Sequence, residues 1–455
     1  MKTKLILISL LIVITINVHA QTGWFSQISN VNFNLTKVVF VNSSTGFITG
    51  YSNNILKTTN SGDMWVEIFT ADSITQLRDI CFINQNTGYA VGGTFYFETG
   101  TFYLTCTIIK TTNSGNDWFA VMRDTNGTFG HDLICNSVFF VNENTGYSGA
   151  GAFLLGSNKL FKTTDGGNSW SNSSFSNING LPSSIKFTDN LNGISSLSSS
   201  LVKTTDGGNN WINVFAGDFI FDVFLLNGNS FYACGGTYFS SINGKSLIIK
   251  SENGGDNWQT LFDRIGSNYH DLNSIYFPDA NTGYAVGATE YGTGTDTNSI
   301  ILKTTDQGIN WGFQSRPLNS LHSVYFTNIN TGYAVGSNGT ILKTTDGGGA
   351  ITSNILTFSN IIPEKITLSQ NYPNPFNPST IINYSITQDT RRETQDVKLI
   401  IYNNLGIEIK TLVNEKQNAG SYAVEFNGEG LPSGVYFYKL EAGEFVETKR
   451  MVLLK

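Results

Sequence analysis

Lys162-Thr163-Thr164-Asp165-Gly166-Gly167-Asn168-Ser169-Trp170 returns almost letter for letter as Lys203-Thr204-Thr205-Asp206-Gly207-Gly208-Asn209-Asn210-Trp211, and again from Lys303 through Asp306 and Gly308 to Trp311. Looser copies end at Trp65, Trp118 and Trp258. The spacing is about 40 to 53 residues, so the chain is built of repeats. A seventh copy begins at Lys343 with Thr344, Asp346 and Gly348, but Ile351 stands where its tryptophan belongs. The remaining tryptophan, Trp24, lies 16 residues before Phe40, much as Trp311 lies 15 before Phe326. The first segment is therefore expected to supply the outer strand of the last repeat and close a ring.

The phrase describes a tight hairpin. A short Asp or Asn side chain accepts hydrogen bonds from turn amides, Gly takes a positive φ, and the trailing Trp starts a strand and covers the turn. The acidic position of the phrase is Asp165, Asp206, Asp306 and Asp346 in four copies and is filled by Asn60, Asn113 and Asn253 in three, and all seven are read as structural. Before each phrase comes a β-rich run such as Ile341-Leu342-Lys343, and before that Asn86-Thr87-Gly88-Tyr89-Ala90-Val91-Gly92 or its equivalents at 281–287 and 330–336. A fourth run, Val38-Val39-Phe40 or Val324-Tyr325-Phe326, supplies the innermost strand. Four strands in each of seven repeats predict an all-β, seven-bladed β-propeller over residues 21–351.

Thr163, Asp165, Gly167 and Trp170 match the signature of the Asp-box (BNR) repeat families, as do Thr204, Asp206, Gly208 and Trp211 and the set from Thr304 to Trp311. Combined with the N-T-G-Y-A-V-G run, the pattern resembles the propeller of photosystem II assembly and stability factors. The resemblance implies a fold; propellers host many unrelated activities.

Lys2 and Lys4, an apolar run over 5–18 and Val18-His19-Ala20 before Gln21 read as a secretory signal peptide, residues 1–20. That run is short for a membrane span, and no later stretch is longer. A formal charge of -7, with 13% charged residues and no basic block, argues against a nucleic-acid partner. Cys81, Cys106, Cys135 and Cys234 fall in or beside predicted strands without metal-ligand spacing. Cys81 and Cys106 belong to the first and third strands of one blade, too far apart to pair, and all four are expected as unpaired fillers. No metal or cofactor is expected.

The repeat stops after Gly349, and a linker is expected over 352–362. Prolines then crowd into Tyr372-Pro373-Asn374-Pro375-Phe376-Asn377-Pro378. Strand signals at 381–386, 397–402, 408–412, 422–426, 434–440 and 447–454 predict a small Ig-like β-sandwich over 363–455. The opening 368–380, Ile401-Tyr402-Asn403-Asn404-Leu405-Gly406, Leu431-Pro432-Ser433-Gly434-Val435-Tyr436 and the terminal 449–455 resemble the type A sorting domain of the type IX secretion system. The resemblance implies signal-peptide passage into the periplasm, then export across the outer membrane with the secretion machinery as partner.

In a four-stranded meander the Asp-box turns share one face with the first-to-second turns, and both keep nearly one length. Length varies on the opposite face, where excursions are predicted at 93–105, 151–157, 236–245 and 288–298. Their aromatic tips are Phe95, Tyr96, Tyr238, Phe239 and Tyr291. Arg78, Asp79, His131, Asp132, Asp222, His270, Asp271 and His322 precede or begin innermost strands and are expected near the channel mouth on that face. The same residues suit a plainer role, capping strand ends and bonding loop backbone, and the aromatic tips suit cross-strand packing.

Two function classes follow. One is a secreted or surface-displayed binder of an unknown surface protein or glycan, without catalysis. The other is a glycan-cleaving hydrolase drawing two carboxylates from Asp79, Asp132, Asp222 and Asp271. Sialidase chemistry needs three converging arginines, and of Arg78, Arg123, Arg264 and Arg316 only Arg78 has a channel-mouth position.

Overall fold

The computed structural model describes residues 23–454 except 71–73, 75, 99–100, 125–132, 153–156, 174, 176–177, 237–243, 267–270, 289–298, 316, 318, 350–355, 359–364, 372–373, 388–393 and 418. The expected signal peptide lies outside these residues. Among them there is no helix long and apolar enough to cross a membrane.

Seven four-stranded antiparallel sheets form the blades. Their inner strands are Leu35–Phe40, Gln76–Phe82, Ile134–Phe140, Pro182–Phe187, Phe219–Leu225, Asp271–Tyr276 and Leu321–Phe326. Each second strand is almost wholly buried, as in Gly88–Gly93 and Gly332–Gly336, because neighbouring blades cover both of its faces. The last blade takes its outer strand from the other end of the chain: Phe25–Gln27 pairs with Ile341–Thr344, Phe25 opposite Lys343 and Gln27 opposite Ile341. Gly23 N donates to Asp346 Oδ2 at 2.9 Å, and Trp24 packs edge-on against Phe326. Closure completes the seventh blade, so that every blade has four strands and only the short outer strands keep an open edge.

Two further sheets make the C-terminal sandwich. Ser379–Ile386 and Gly420–Asn427 lie centrally in one, Gln395–Tyr402 and Gly434–Ala442 in the other, around a core that includes Ile382, Tyr384, Leu399, Ile401, Tyr438 and Leu440. Part of the stretch read as linker joins in, since Leu356–Phe358 pairs with the strand Gly420–Asn427.

The cysteines require a correction. Cys106 and Cys135 form a disulfide, with Cα atoms 5.0 Å apart, while Cys81 and Cys234 are free thiols. Cys106 opens the third strand of blade two and Cys135 lies on the inner strand of blade three. Distance within one blade excludes Cys81 as a partner, but the faces of adjacent blades pack together and bring Cys135 within reach.

Candidate functional site

Each inner strand has a register shift at the same level, a β-bulge that re-aims the side chains on either side of it. In six strands the extra residue is Thr36, Arg78, Asn136, Phe221, Asn273 or His322. Four of these reach the next blade. Thr36 Oγ1 donates to Leu77 O at 2.8 Å, Asn273 Nδ2 to Leu321 O at 2.9 Å and Arg78 Nη1 to Asn136 Oδ1 at 2.8 Å, while His322 Nδ1 lies 2.8 Å from Leu35 O.

The residue after the bulge forms a belt around the channel: Lys37, Asp79, Ser137, Ser184, Asp222, Ser274 and Ser323. Five of them accept the amide of the next blade's inner strand. Val138 N donates to Asp79 Oδ2 (2.9 Å), Val223 N to Ser184 Oγ (3.2 Å), Ile275 N to Asp222 Oδ2 (3.2 Å), Val324 N to Ser274 Oγ (3.4 Å) and Val38 N to Ser323 Oγ (3.3 Å). Asp222 ties three blades together, because the hydroxyls of Ser184 and Ser274 also donate to it, at 3.1 and 3.0 Å. Buried backbone amides that would otherwise lack partners are satisfied at the hub in this way.

Below the belt lies a cavity of about 550 Å3, lined by inner strands of all seven blades and running to Asn84 and Gln85. Those two residues belong to a first-to-second turn, so the cavity opens toward the Asp-box face. Its wall is mostly apolar, with Phe139, Phe224, Tyr276 and Tyr325, and it holds Lys37, Lys186, Asp79 and Asp222. Burial raises the Asp79 pKa, against the opposing pull of Lys37, Lys186 and the amides of Val138 and Ile80. Burial would lower Lys37, but Asp222 and Asp79 outweigh it and hold the ammonium above its ordinary range. Lys186 is lowered, by burial first and then by Lys37. Burial also pushes up the thiols of Cys81 and Cys234.

The Asp-box face is fastened differently. In all seven copies the box hydroxyl accepts the amide of the glycine four residues on, for example Gly167 N to Thr163 Oγ1 at 2.8 Å. The Asp or Asn side chain accepts the amide four residues on: Met64 N to Asn60, Asp117 N to Asn113, Ser169 N to Asp165, Asn210 N to Asp206, Asn257 N to Asn253 and Asn310 N to Asp306. At Asp346 the Gly23 amide takes that place, which sets Trp24 where the seventh tryptophan would stand.

The turn carbonyl then receives the preceding blade. Tyr89 OH and Lys110 Nζ both donate to Gly166 O (2.6 and 2.7 Å), Tyr147 OH and Lys162 Nζ to Gly207 O (3.0 and 2.8 Å), Tyr284 OH and Lys303 Nζ to Gly347 O (3.0 and 2.9 Å). The tyrosine rings stack on the next blade's inner phenylalanine, as Tyr89 does on Phe140 at 3.9 Å, and that phenylalanine meets its own blade's tryptophan edge-on. Gly167 has φ +76°, and a Cβ there would lie 2.7 Å from the Tyr89 ring, so the turn needs glycine twice over.

The residues singled out from sequence separate as follows. Asp79 and Asp222 line the channel, with their carboxylates engaged by strand amides. Arg78 and His322 share the bulge register and bond the next blade. Asp271 begins the inner strand of blade six, opposite Ala288. Phe95 and Tyr96 belong to a hairpin of Phe95–Glu98 with Thr101–Leu104 that extends the second-to-third connection of blade two. His131, Asp132, Tyr238, Phe239, His270 and Tyr291 lie outside the described residues. Sequence reasoning missed Lys37, Lys186 and the four belt serines. Aligning the inner strands reveals the belt, since each of its residues stands directly before a Val or Ile.

Residues 370–454 match the family model of the secretion system C-terminal sorting domain. Among curated proteins, none matches this chain. Its fold is similar to that of YCF48 bound to D1 peptide, with TM-score 0.51 and 13% identity over 72% of this chain and 98% of that one. YCF48 from Cyanidioschyzon merolae gives TM-score 0.50 and 14% identity over 71% and 98%. The GH74 xyloglucanase from Xanthomonas campestris gives TM-score 0.55 and 10% identity, over 88% of this chain and 63% of that one. At such identities the likeness is one of fold, shared by an enzyme and by YCF48. The chain is thus an Asp-box β-propeller followed by a secretion system C-terminal sorting domain, exported through type IX secretion to the cell surface or the extracellular space.

Proposed function

We propose that the exported propeller is a binding module, not a hydrolase, and that it recognises a surface protein or glycan through the face carrying the second-to-third connections. The observation that supports this reading most is the contrast between faces. On the Asp-box face, turn hydroxyls, carboxylates and carbonyls are engaged within and between blades. On the opposite face blade two carries an added hairpin, whereas blade four turns directly from Leu197 to Ser200. Variable loops on a rigid ring are where recognition is usually built, and the sequence of those loops supplies aromatic residues suited to stacking, Phe95, Tyr96, Tyr238, Phe239 and Tyr291, and polar ones, His131, Asp132, His270 and Asp271. A glycosidase needs carboxyl groups free to exchange protons with substrate. Asp79 and Asp222 accept strand amides with both oxygens, which favours the binding reading.

The test is a glycan array and an immobilised panel of outer-surface proteins probed with residues 21–455. The triple variant Y96A/Y238A/Y291A is compared with Glu143→Ala, an exposed position on the Asp-box face. The expected result is binding lost in the triple variant, with unchanged melting temperature, and retained in Glu143→Ala. Binding that survives the triple variant, or release of reducing sugar from a bound glycan, overturns the reading.

A further inference from the structure

The hub cavity contains a charge arrangement that joining the blades does not require. Lys37 takes the belt position that Ser or Asp fills in every other blade, so it cannot accept the Ile80 amide, which bonds Asp79 Oδ1 instead at 2.9 Å. Lys186 replaces an apolar or thiol side chain at the next inward-facing position, where the other blades have Val39, Cys81, Phe139, Phe224, Tyr276 and Tyr325. The two lysines come from blades one and four, nearly opposite each other across a seven-bladed ring.

Neither ammonium has a hydrogen-bond or ion-pair partner among the described residues; Lys186 Nζ rests 5.6 Å from the Phe139 ring centroid. Asp79 and Asp222 offset the ammonium charges through space, but their hydrogen-bonding capacity is taken by other donors. Asp79 accepts Ile80 and Val138, and Asp222 accepts two hydroxyls and two amides. Both side chains are partly exposed and line the cavity, so the cavity is what their ammonium donors face. The wall also carries an aromatic patch, with Phe224 and Tyr276 centred 5.1 Å apart and Tyr276 and Tyr325 4.9 Å apart. The volume, about 550 Å3, falls in the range of small-molecule sites.

We propose that this cavity is a binding site for a small aromatic carboxylate, its anionic group held between Lys37 and Lys186 and its ring against Phe224, Tyr276 and Tyr325. The ligand enters from the Asp-box face, so this site is separate from the loop surface assigned to macromolecular recognition. The lysines disfavour a cation, and a neutral ring leaves both ammoniums without a hydrogen-bond acceptor.

The probe is benzoate, titrated into residues 21–455 by calorimetry and ligand-observed NMR, with benzamide and benzylamine as neutral and cationic isosteres. Benzoate is expected to bind and to raise the melting temperature, and the isosteres are not. Lys186→Met and Lys37→Met should each weaken benzoate by about tenfold or more. Lys186→Arg should restore part of the affinity, and Lys203→Met, outside the cavity, should leave it unchanged. If Lys37→Met does not fold, Lys186→Met and its Arg partner decide the matter. No binding of benzoate, equal binding of benzamide, or indifference to Lys186→Met overturns the proposal. The Y96A/Y238A/Y291A variant should bind benzoate normally, so failure of the loop-face reading and failure of this one are separately visible.

Discussion

Blade three meets blade four through rings and hydrogen bonds, whereas blade four meets blade five, one step around, through aliphatic side chains and a partly exposed ion pair. At the first junction Tyr147 stacks on Phe187 at 3.9 Å, Phe187 meets Trp211 edge-on, and Tyr147 OH and Lys162 Nζ converge on Gly207 O. At the second, Ile194 stands in place of the tyrosine and Leu225 in place of the phenylalanine, and Lys203 pairs with Asp256 at 2.5 Å. Where the tyrosine ring would lie there is a polar cavity of about 270 Å3 lined by Gly193, Ile194, Lys203, Asn229 and Gly254. The hub compensates, since Ser184 and Asp222 make the belt continuous through this same junction. Rim and hub are thus independent fasteners. A repeat can lose the ring ladder at one junction while the hub bonds remain.

The largest effect is expected at the closing junction. Removing residues 21–30 takes away Trp24, the Gly23 amide on Asp346 and the outer strand of blade seven. The expected loss is about 3 to 5 kcal/mol, the scale of truncating a core aromatic, since the partly buried Trp24 goes together with its strand. It would be read as a lower melting temperature with aggregation. An unchanged melting curve would mean that the ring does not depend on this closure.

A smaller effect sharpens the contrast between the two neighbouring junctions. Tyr147→Ile with Phe187→Leu gives the three-to-four junction the residues of four-to-five, and should cost roughly 3 kcal/mol in lost ring volume and stacking. The reverse exchange, Ile194→Tyr with Leu225→Phe, should stabilise if the new hydroxyl reaches the turn carbonyl of blade five. Chemical denaturation of both pairs checks the sign. Destabilisation of similar size in both would show that each junction is adapted to its own side chains.

Acid provides the mildest test. Hydrogen bonds from Ser169 pull the Asp165 carboxyl down to about 2, and those from Asn210, amide first, do the same for Asp206. In the unfolded chain such carboxyls titrate near ~3.9. Their contribution is therefore complete above about pH 4 and lost as pH falls through about 2. The Asn60, Asn113 and Asn253 boxes carry no such group. Asp165→Asn with Asp206→Asn should flatten the stability curve between pH 4 and 2 while leaving it similar near neutrality. A curve of unchanged slope would place the acid sensitivity elsewhere.

The repeats, the blade count and the closing strand were legible because each depends on short-range chemistry. A hairpin needs its glycine and carboxamide or carboxylate within a few residues, and Trp24 betrays its role by standing where Ile351 cannot serve. Contacts between blades were less legible. Pairing Cys106 with Cys135 requires knowing that the third strand of one blade lies against the inner strand of the next. Arg78 and His322 share the bulge register, and the bulge turns them toward Asn136 and the Leu35 carbonyl, a redirection no alternation pattern contains. Lys37 and Lys186 became conspicuous only once seven inner strands were laid side by side.

Where the tyrosine and lysine of one blade converge on the Asp-box turn carbonyl of the next, as from blade three to four, the phrase fastens the two blades, and between four and five that fastening is missing. Native-state hydrogen exchange on residues 21–455, followed by mass spectrometry, reports that fastening junction by junction without any ligand. The account predicts that opening begins between blades four and five, with peptides covering 193–197 and 219–225 exchanging before those covering 146–152 and 182–187. It also predicts that the disulfide-linked junction of blades two and three opens last. Exchange that begins at three-to-four, or proceeds at one rate around the whole ring, would contradict it.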